Sequence, residues 1–165
     1  MKTGIKRKKK LDKFTLKEYG INAVLMAIIF LFGLYFSWEL SNFAGMLYLL
    51  LWVASYFVIH ATTCRNCVYH GKQCPVPLEG GCSHLTFERG NNFGLIAGVG
   101  GLLAFFLRLC IPYVAIIKAG SMMYFVLYSG IVILFFYVLL YHTGCPNCIN
   151  TKCPMNPDFN APSQS

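Results

Sequence analysis

Two short stretches hold most of the chemistry available to this chain: "CRNCVYHGKQCP", Cys64 to Pro75, and "CPNCINTKCP", Cys145 to Pro154. Each opens with two cysteines separated by two residues, the second of them asparagine. A third cysteine follows, Cys74 in the first stretch and Cys153 in the second, and a proline closes each. A histidine stands just ahead of each stretch, His60 before Cys64 and His142 before Cys145. C-x2-C is a tight chelating turn whose two sulfurs converge on one ion. Cys64, Cys67, Cys74 and His60 predict one four-ligand site, and Cys145, Cys148, Cys153 and His142 predict a second. Three sulfurs and one imidazole are a structural zinc arrangement, so zinc is the leading cofactor.

Other soft-ligand chemistry fits the same residues. The Cys-Pro ending resembles the last step of bacterial ferredoxin motifs, which implies a 4Fe-4S cluster. The spacing departs from that pattern. In the first stretch Cys82 would have to act as fourth ligand, and the second has no fourth cysteine. "CPNC" has the form of thiol–disulfide redox proteins. It resembles the four-helix membrane oxidoreductases of the vitamin K epoxide reductase and disulfide-bond-forming types, whose C-x-x-C pairs face the oxidising side. That likeness is confined to the motif and the helix number. Transient carriage of a soft metal is a fourth reading, since thiolates select soft ions. Zinc leads because the histidine before each motif completes four ligands without borrowing a distant cysteine.

The elements that must position these residues are apolar. Of 165 residues, 56% are hydrophobic and only 12% charged, against about 25% charged in soluble domains. Four runs approach or exceed the roughly 20 apolar residues that cross a hydrocarbon core of about 30 Å. They are Gly20 to Trp38, Phe43 to His60, Phe93 to Ile117 and Ser121 to His142. None alternates with a period of two and all are too long for strands, which argues for helices. The expected fold is therefore an all-α integral membrane protein, a four-helix bundle.

Charge sets the expected orientation. Eight of the fourteen Lys and Arg lie within the first seventeen residues. The apolar run behind them is longer than a signal-peptide core of about 7–15 residues, and no aromatic-basic module for nucleic acid surrounds them. The positive-inside rule places this end in the cytoplasm, facing anionic lipid headgroups. Four spans return the C-terminus to the same side, together with Arg65, Lys72, Arg89 and Lys152. The expected location is the cell membrane, multi-pass, with both termini cytoplasmic. Seven of the eight cysteines then face a reducing compartment, where stable disulfides are rare and clustered thiolates usually bind metal.

The halves also align with one another: "YFVIHATTCRNC" matches "VLLYHTGCPNC". We read an internal repeat of two spans plus a cysteine motif. Residues 1–18 are a basic tail, 19–77 the first repeat, 78–92 a cytoplasmic loop, 93–157 the second repeat and 158–165 a disordered tail. Two spans per repeat give both copies the same orientation, so both motifs fall on one side of the membrane.

Further residues refine this picture. Gly94, Ala97, Gly98, Gly100, Gly101 and Ala104 form small-x-x-x-small pairs for close helix packing. Tyr48, Trp52, Tyr56 and His60 make an aromatic stripe, expected to pack or meet lipid. Arg108, the charge inside a span, is expected near the outer boundary, snorkelling to headgroups or paired with Glu39. Cys110 reads as a packing residue, His70 and His84 as reserve ligands. "VPLEGG" reads as a turn-rich connection. No phosphate-binding glycine loop, Ser–His–Asp pattern or carboxylate pair occurs, so hydrolase and phosphoryl-transfer chemistry have no support. The leading expectation is a non-enzymatic membrane module whose metal knuckles dock a membrane or cytoplasmic protein partner. The alternative is an electron-transfer or thiol-redox subunit.

Overall fold

The computed structural model describes residues 5–76, 79–90, 94–153 and 155–159. The described residues form five α-helices, and no strand beyond a single bridge pairing Leu11 with Cys148. Helix α1 spans Leu16–Leu40, α2 Asn42–Thr62, α3 Glu79–Thr86, α4 Leu95–Lys118 and α5 Met122–Tyr137, the last continuing as a wider π-helical turn over Val138–Thr143. Four helical segments are long and apolar enough to cross a bilayer: Leu16–Leu40, Asn42–Asn66, Leu95–Lys118 and Met122–Asn147. They coincide with the four apolar runs. Part of the expected tail, residues 160–165, lies outside the described residues, as do Pro77, Phe93 and Pro154 of the expected repeats.

Local chemistry sets the helix ends. The Glu18 carboxylate accepts the Thr15 N–H at 2.8 Å, the reciprocal bond of a capping box that starts α1. The turn from α1 to α2 is one extended residue, Ser41. Its hydroxyl accepts the Ala44 N–H at 3.0 Å and so caps α2. Gly120 reverses the chain between α4 and α5 with φ +67°, a left-handed conformation that favours glycine.

Helix α2 packs most extensively on α4, and α1 packs on both, while α5 makes lighter contacts with α1 and α4. Close approach of α2 and α4 depends on Ala97, Gly100 and Ala104, all buried. A Cβ at Gly100 would collide with the Thr62 side chain. The Gly94–Gly98 pair takes no part, because both positions face open space. The core between α1, α2, α4 and α5 includes Met26, Phe36, Tyr48, Trp52, Tyr128 and Phe135. Tyr48 and Trp52 of the aromatic stripe therefore face inward.

Two expectations are corrected here. Glu79, which falls within "VPLEGG", opens a short helix instead of continuing a turn. That helix also overturns the expected surroundings of Arg108. Arg108 is 1% exposed, so it neither snorkels nor meets Glu39. Its Nη1 lies 2.8 Å from the Glu79 carboxylate, and its Nε donates to the Ser55 hydroxyl at 2.8 Å. The guanidinium stacks within 4.6 Å of the Tyr56 ring centre and 5.2 Å of the Trp52 and Phe105 centres. The physical reason is direction. Helical side chains lean toward the N-terminus of their own helix, here the end carrying the cysteine stretches. Ser55 stands seven residues from the end of α2, or about 10 Å at 1.5 Å per residue. Helix α3 folds back far enough to supply the counter-charge.

Candidate functional site

Both cysteine stretches begin where a long helix ends. The first turn is a 3-10 helix over Cys64–Asn66 and the second a 3-10 helix over Cys145–Asn147. In each, the second cysteine donates its backbone N–H to the carbonyl of the first, Cys67 to Cys64 at 3.2 Å and Cys148 to Cys145 at 3.3 Å. The asparagine between them locks the turn to its helix. Asn66 Nδ2 donates to the Thr62 carbonyl at 2.9 Å, and Asn147 Nδ2 to the Thr143 carbonyl at 2.8 Å. These carbonyls belong to the last helical turn, where intrahelical donors run out. In both stretches the asparagine stands one residue before the second cysteine.

The two stretches meet, although about eighty positions separate them in sequence. Asn150 touches a sulfur from each: its backbone N–H lies 3.4 Å from Cys148 Sγ and its Nδ2 lies 3.7 Å from Cys67 Sγ. The Tyr69 hydroxyl donates to the Leu11 carbonyl at 2.6 Å and accepts the Ile149 N–H at 3.1 Å. Asn22, fully buried on α1, donates to the Pro75 carbonyl and to the Thr143 hydroxyl, both at 2.8 Å. That one amide ties the end of the first stretch to the helix end that precedes the second.

An N-terminal strap crosses both stretches. Lys8 N–H donates to the Pro146 carbonyl at 3.0 Å, Leu11 N–H to Asn147 at 3.1 Å and Phe14 N–H to Gln73 at 3.0 Å. Phe14 is wholly buried and meets the Tyr69 ring edge-on. Arg7 reaches the Cys148 carbonyl, Asn156 and the Asp158 carboxylate. Lys6, Lys8, Lys9, Lys10 and Lys13 stay exposed. About half of the expected basic tail is thus a hydrogen-bonded strap that presents its lysines outward.

The thiols are sheltered. Cys64 is buried, and the other seven cysteines are half-buried and free. Burial pushes the Cys67 thiol up to about 11. Burial, then the Glu79 carboxylate, pushes Cys74 up to about 12. Cys148 and Cys153 are raised as well, chiefly by burial. Cys74 Sγ also receives the Gly80 N–H at 3.3 Å, which connects the first stretch to α3 and so to the Glu79–Arg108 pair.

The two histidines differ. His60 is buried, with Nδ1 3.2 Å from the Thr86 hydroxyl of α3. His142 is exposed and packs 5.3 Å from the Tyr137 ring. His70 meets the Ser83 hydroxyl at 3.1 Å and His84 the Gly81 carbonyl at 2.7 Å. Cys82 is half-buried on α3, and Cys110 donates within its own helix to Leu107. Among the described residues, no three His, Cys, Asp or Glu side chains converge closely enough to hold a metal ion in this arrangement.

No family model, curated protein or solved structure matches the chain. Five residues central to this region escape a motif search: Arg7, Asn22, Tyr69, Glu79 and Asn150. The sequence did carry a signal for Asn66 and Asn147, which hold the same place in both stretches.

Proposed function

We propose that this chain is a polytopic membrane module built from two tandem two-helix repeats. Its paired cysteine turns face the cytoplasm, bind metal and form a rigid platform that docks a protein partner. The observation that carries this reading is the convergence of both stretches on Asn150, which contacts Cys67 and Cys148 at 3.7 and 3.4 Å. The duplicated turn, with the same asparagine lock in each copy, supports the repeat. The proposed ligands are Cys64, Cys67 and Cys74 in the first site and Cys145, Cys148 and Cys153 in the second, with His60 and His142 as fourth donors. Zinc suits sulfur-rich sets of this kind, with a 4Fe-4S cluster as the alternative. Metal uptake has to draw the sulfurs inward, so binding and local ordering are coupled.

Burial favours structure over exchange chemistry. Reactive cysteines sit in partly exposed, electropositive surroundings. Here the Cys74 thiol is raised by burial and by the Glu79 carboxylate, and its sulfur is bonded to the Gly80 N–H of α3. Elemental analysis of protein purified anaerobically without chelator tests the reading. The expected result is bound zinc that falls in Cys148→Ser together with partner association, while membrane insertion is retained. Visible charge-transfer absorption would assign iron instead. Protein free of both metals, or association that survives metal loss, would overturn the platform.

A further inference from the structure

We propose that the groove between the N-terminal strap and the first cysteine stretch binds the headgroup of an aminophospholipid, which carries a phosphate and a primary ammonium. The groove has a volume of about 470 Å³ and is lined by Asp12, Lys13, Gly71, Lys72 and Gln73. Its two walls are tied together by the Phe14–Gln73 backbone bond at 3.0 Å, next to Lys13 on one side and at Gln73 on the other. At its rim the chain reverses at Gly71, whose φ of +72° favours glycine.

The charges select the ligand. Two lysines and one aspartate line the groove, all exposed. A phosphate between Lys13 and Lys72 satisfies both cations. Asp12 then opposes a headgroup that is purely anionic and attracts one that also carries an ammonium. A primary ammonium donates hydrogen bonds to that carboxylate, whereas a quaternary choline group has no N–H to donate.

Depth points to a lipid and not to a free metabolite. Lys13 precedes Leu16, the first residue of the α1 span, by three positions, or at most about 10 Å of extended chain. The headgroup layer on each side of the hydrocarbon core is about 5–8 Å thick, from the difference between the full and apolar bilayer dimensions. Leu16, at the start of that helix, is 70% exposed and offers apolar surface to an acyl chain. This site does not depend on metal at the cysteines.

The test is lipid retention by the full chain, measured by native mass spectrometry with phosphatidylethanolamine, phosphatidylglycerol and phosphatidylcholine of matched acyl chains. The expected result is several-fold greater retention of phosphatidylethanolamine than of the other two, competed by soluble phosphoethanolamine. Lys13→Gln with Lys72→Gln should abolish the preference, and Asp12→Asn should shift it toward phosphatidylglycerol. Metal content should stay unchanged in all of these variants. Equal retention of the three lipids, a wild-type preference for phosphatidylglycerol, or a preference that survives the double lysine variant would each overturn the proposal.

Discussion

The two cysteine turns share one lock and differ in what surrounds them. Cys64–Asn66 and Cys145–Asn147 are the same 3-10 turn with the same asparagine-to-carbonyl bond. The first is backed from inside the bundle by α3, through Gly80 on Cys74 and through the Glu79–Arg108 pair. The second is covered from outside by the strap, through Lys8, Leu11 and Arg7. Similar turns therefore rest on different kinds of support, one on a buried charge pair and the other on a partly exposed strap. Removing each support separately should disturb one turn and spare its counterpart.

The largest effect belongs to the buried pair. Arg108→Leu leaves Glu79 desolvated without its counter-charge, and Glu79→Leu does the reverse to Arg108. Each single change should cost about 3–5 kcal/mol, the usual consequence of an orphaned buried charge. The double variant Arg108→Leu with Glu79→Leu should recover most of that loss, because two apolar side chains no longer carry the desolvation penalty. Unfolding in detergent micelles measures the cost, and maleimide labelling locates it. In the single variants labelling should rise at Cys64 and Cys74 and stay flat at Cys145 and Cys153. A double variant as unstable as the singles would show that α3 is held by something other than this pair.

The strap should matter less. Arg7→Ala removes bonds to the Cys148 carbonyl, Asn156 and Asp158. The abandoned carboxylate is partly exposed and can be rehydrated. The expected loss is about 1.5–3 kcal/mol, the range for hydrogen bonds to charged groups. Hydrogen exchange should speed up at the Lys8 and Leu11 amides, with greater labelling at Cys148 and none added at Cys74. Unchanged exchange at both amides would show that the strap's backbone bonds hold without Arg7.

How much of this was legible follows from the range of each interaction. The spans were legible because bilayer thickness imposes a length and a composition that the sequence displays directly; α1 and α4 begin and end within a few residues of their apolar runs. The turns were legible because a repeated motif repeats its local bonds. Glu79 was not, because nothing in "VPLEGG" shows that its glutamate folds back onto a helix 29 positions later. Arg7 and Asn22 were hidden for the same reason. A lone arginine in a basic run and a lone asparagine in an apolar one show their partners only once the helix ends come together. The sequence also left both histidines as equal fourth donors, yet burial separates His60 from the exposed His142. Among the described residues, helix α3 beside the first turn has no counterpart beside the second.

The asparagine locks give the smallest and most discriminating comparison. Both make one bond to a helix-end carbonyl, at 2.9 and 2.8 Å, and a bond of this type contributes about 1 kcal/mol net. Their oxygens differ in setting. Asn147 is 8% exposed, and its Oδ1 is buried with no hydrogen-bond partner among the described residues. Asn66 is only half-buried, and its amide oxygen is not among those orphaned atoms. Replacing Asn147 with alanine removes a favourable bond and a penalised acceptor together, and an unsatisfied buried acceptor costs about 1–3 kcal/mol. Asn66→Ala should therefore destabilise by about 1 kcal/mol, while Asn147→Ala should be close to neutral. Unfolding free energies of the two variants, measured in the same detergent, decide the matter. Equal losses would mean that Asn147 Oδ1 is satisfied in the membrane by a partner such as ordered water.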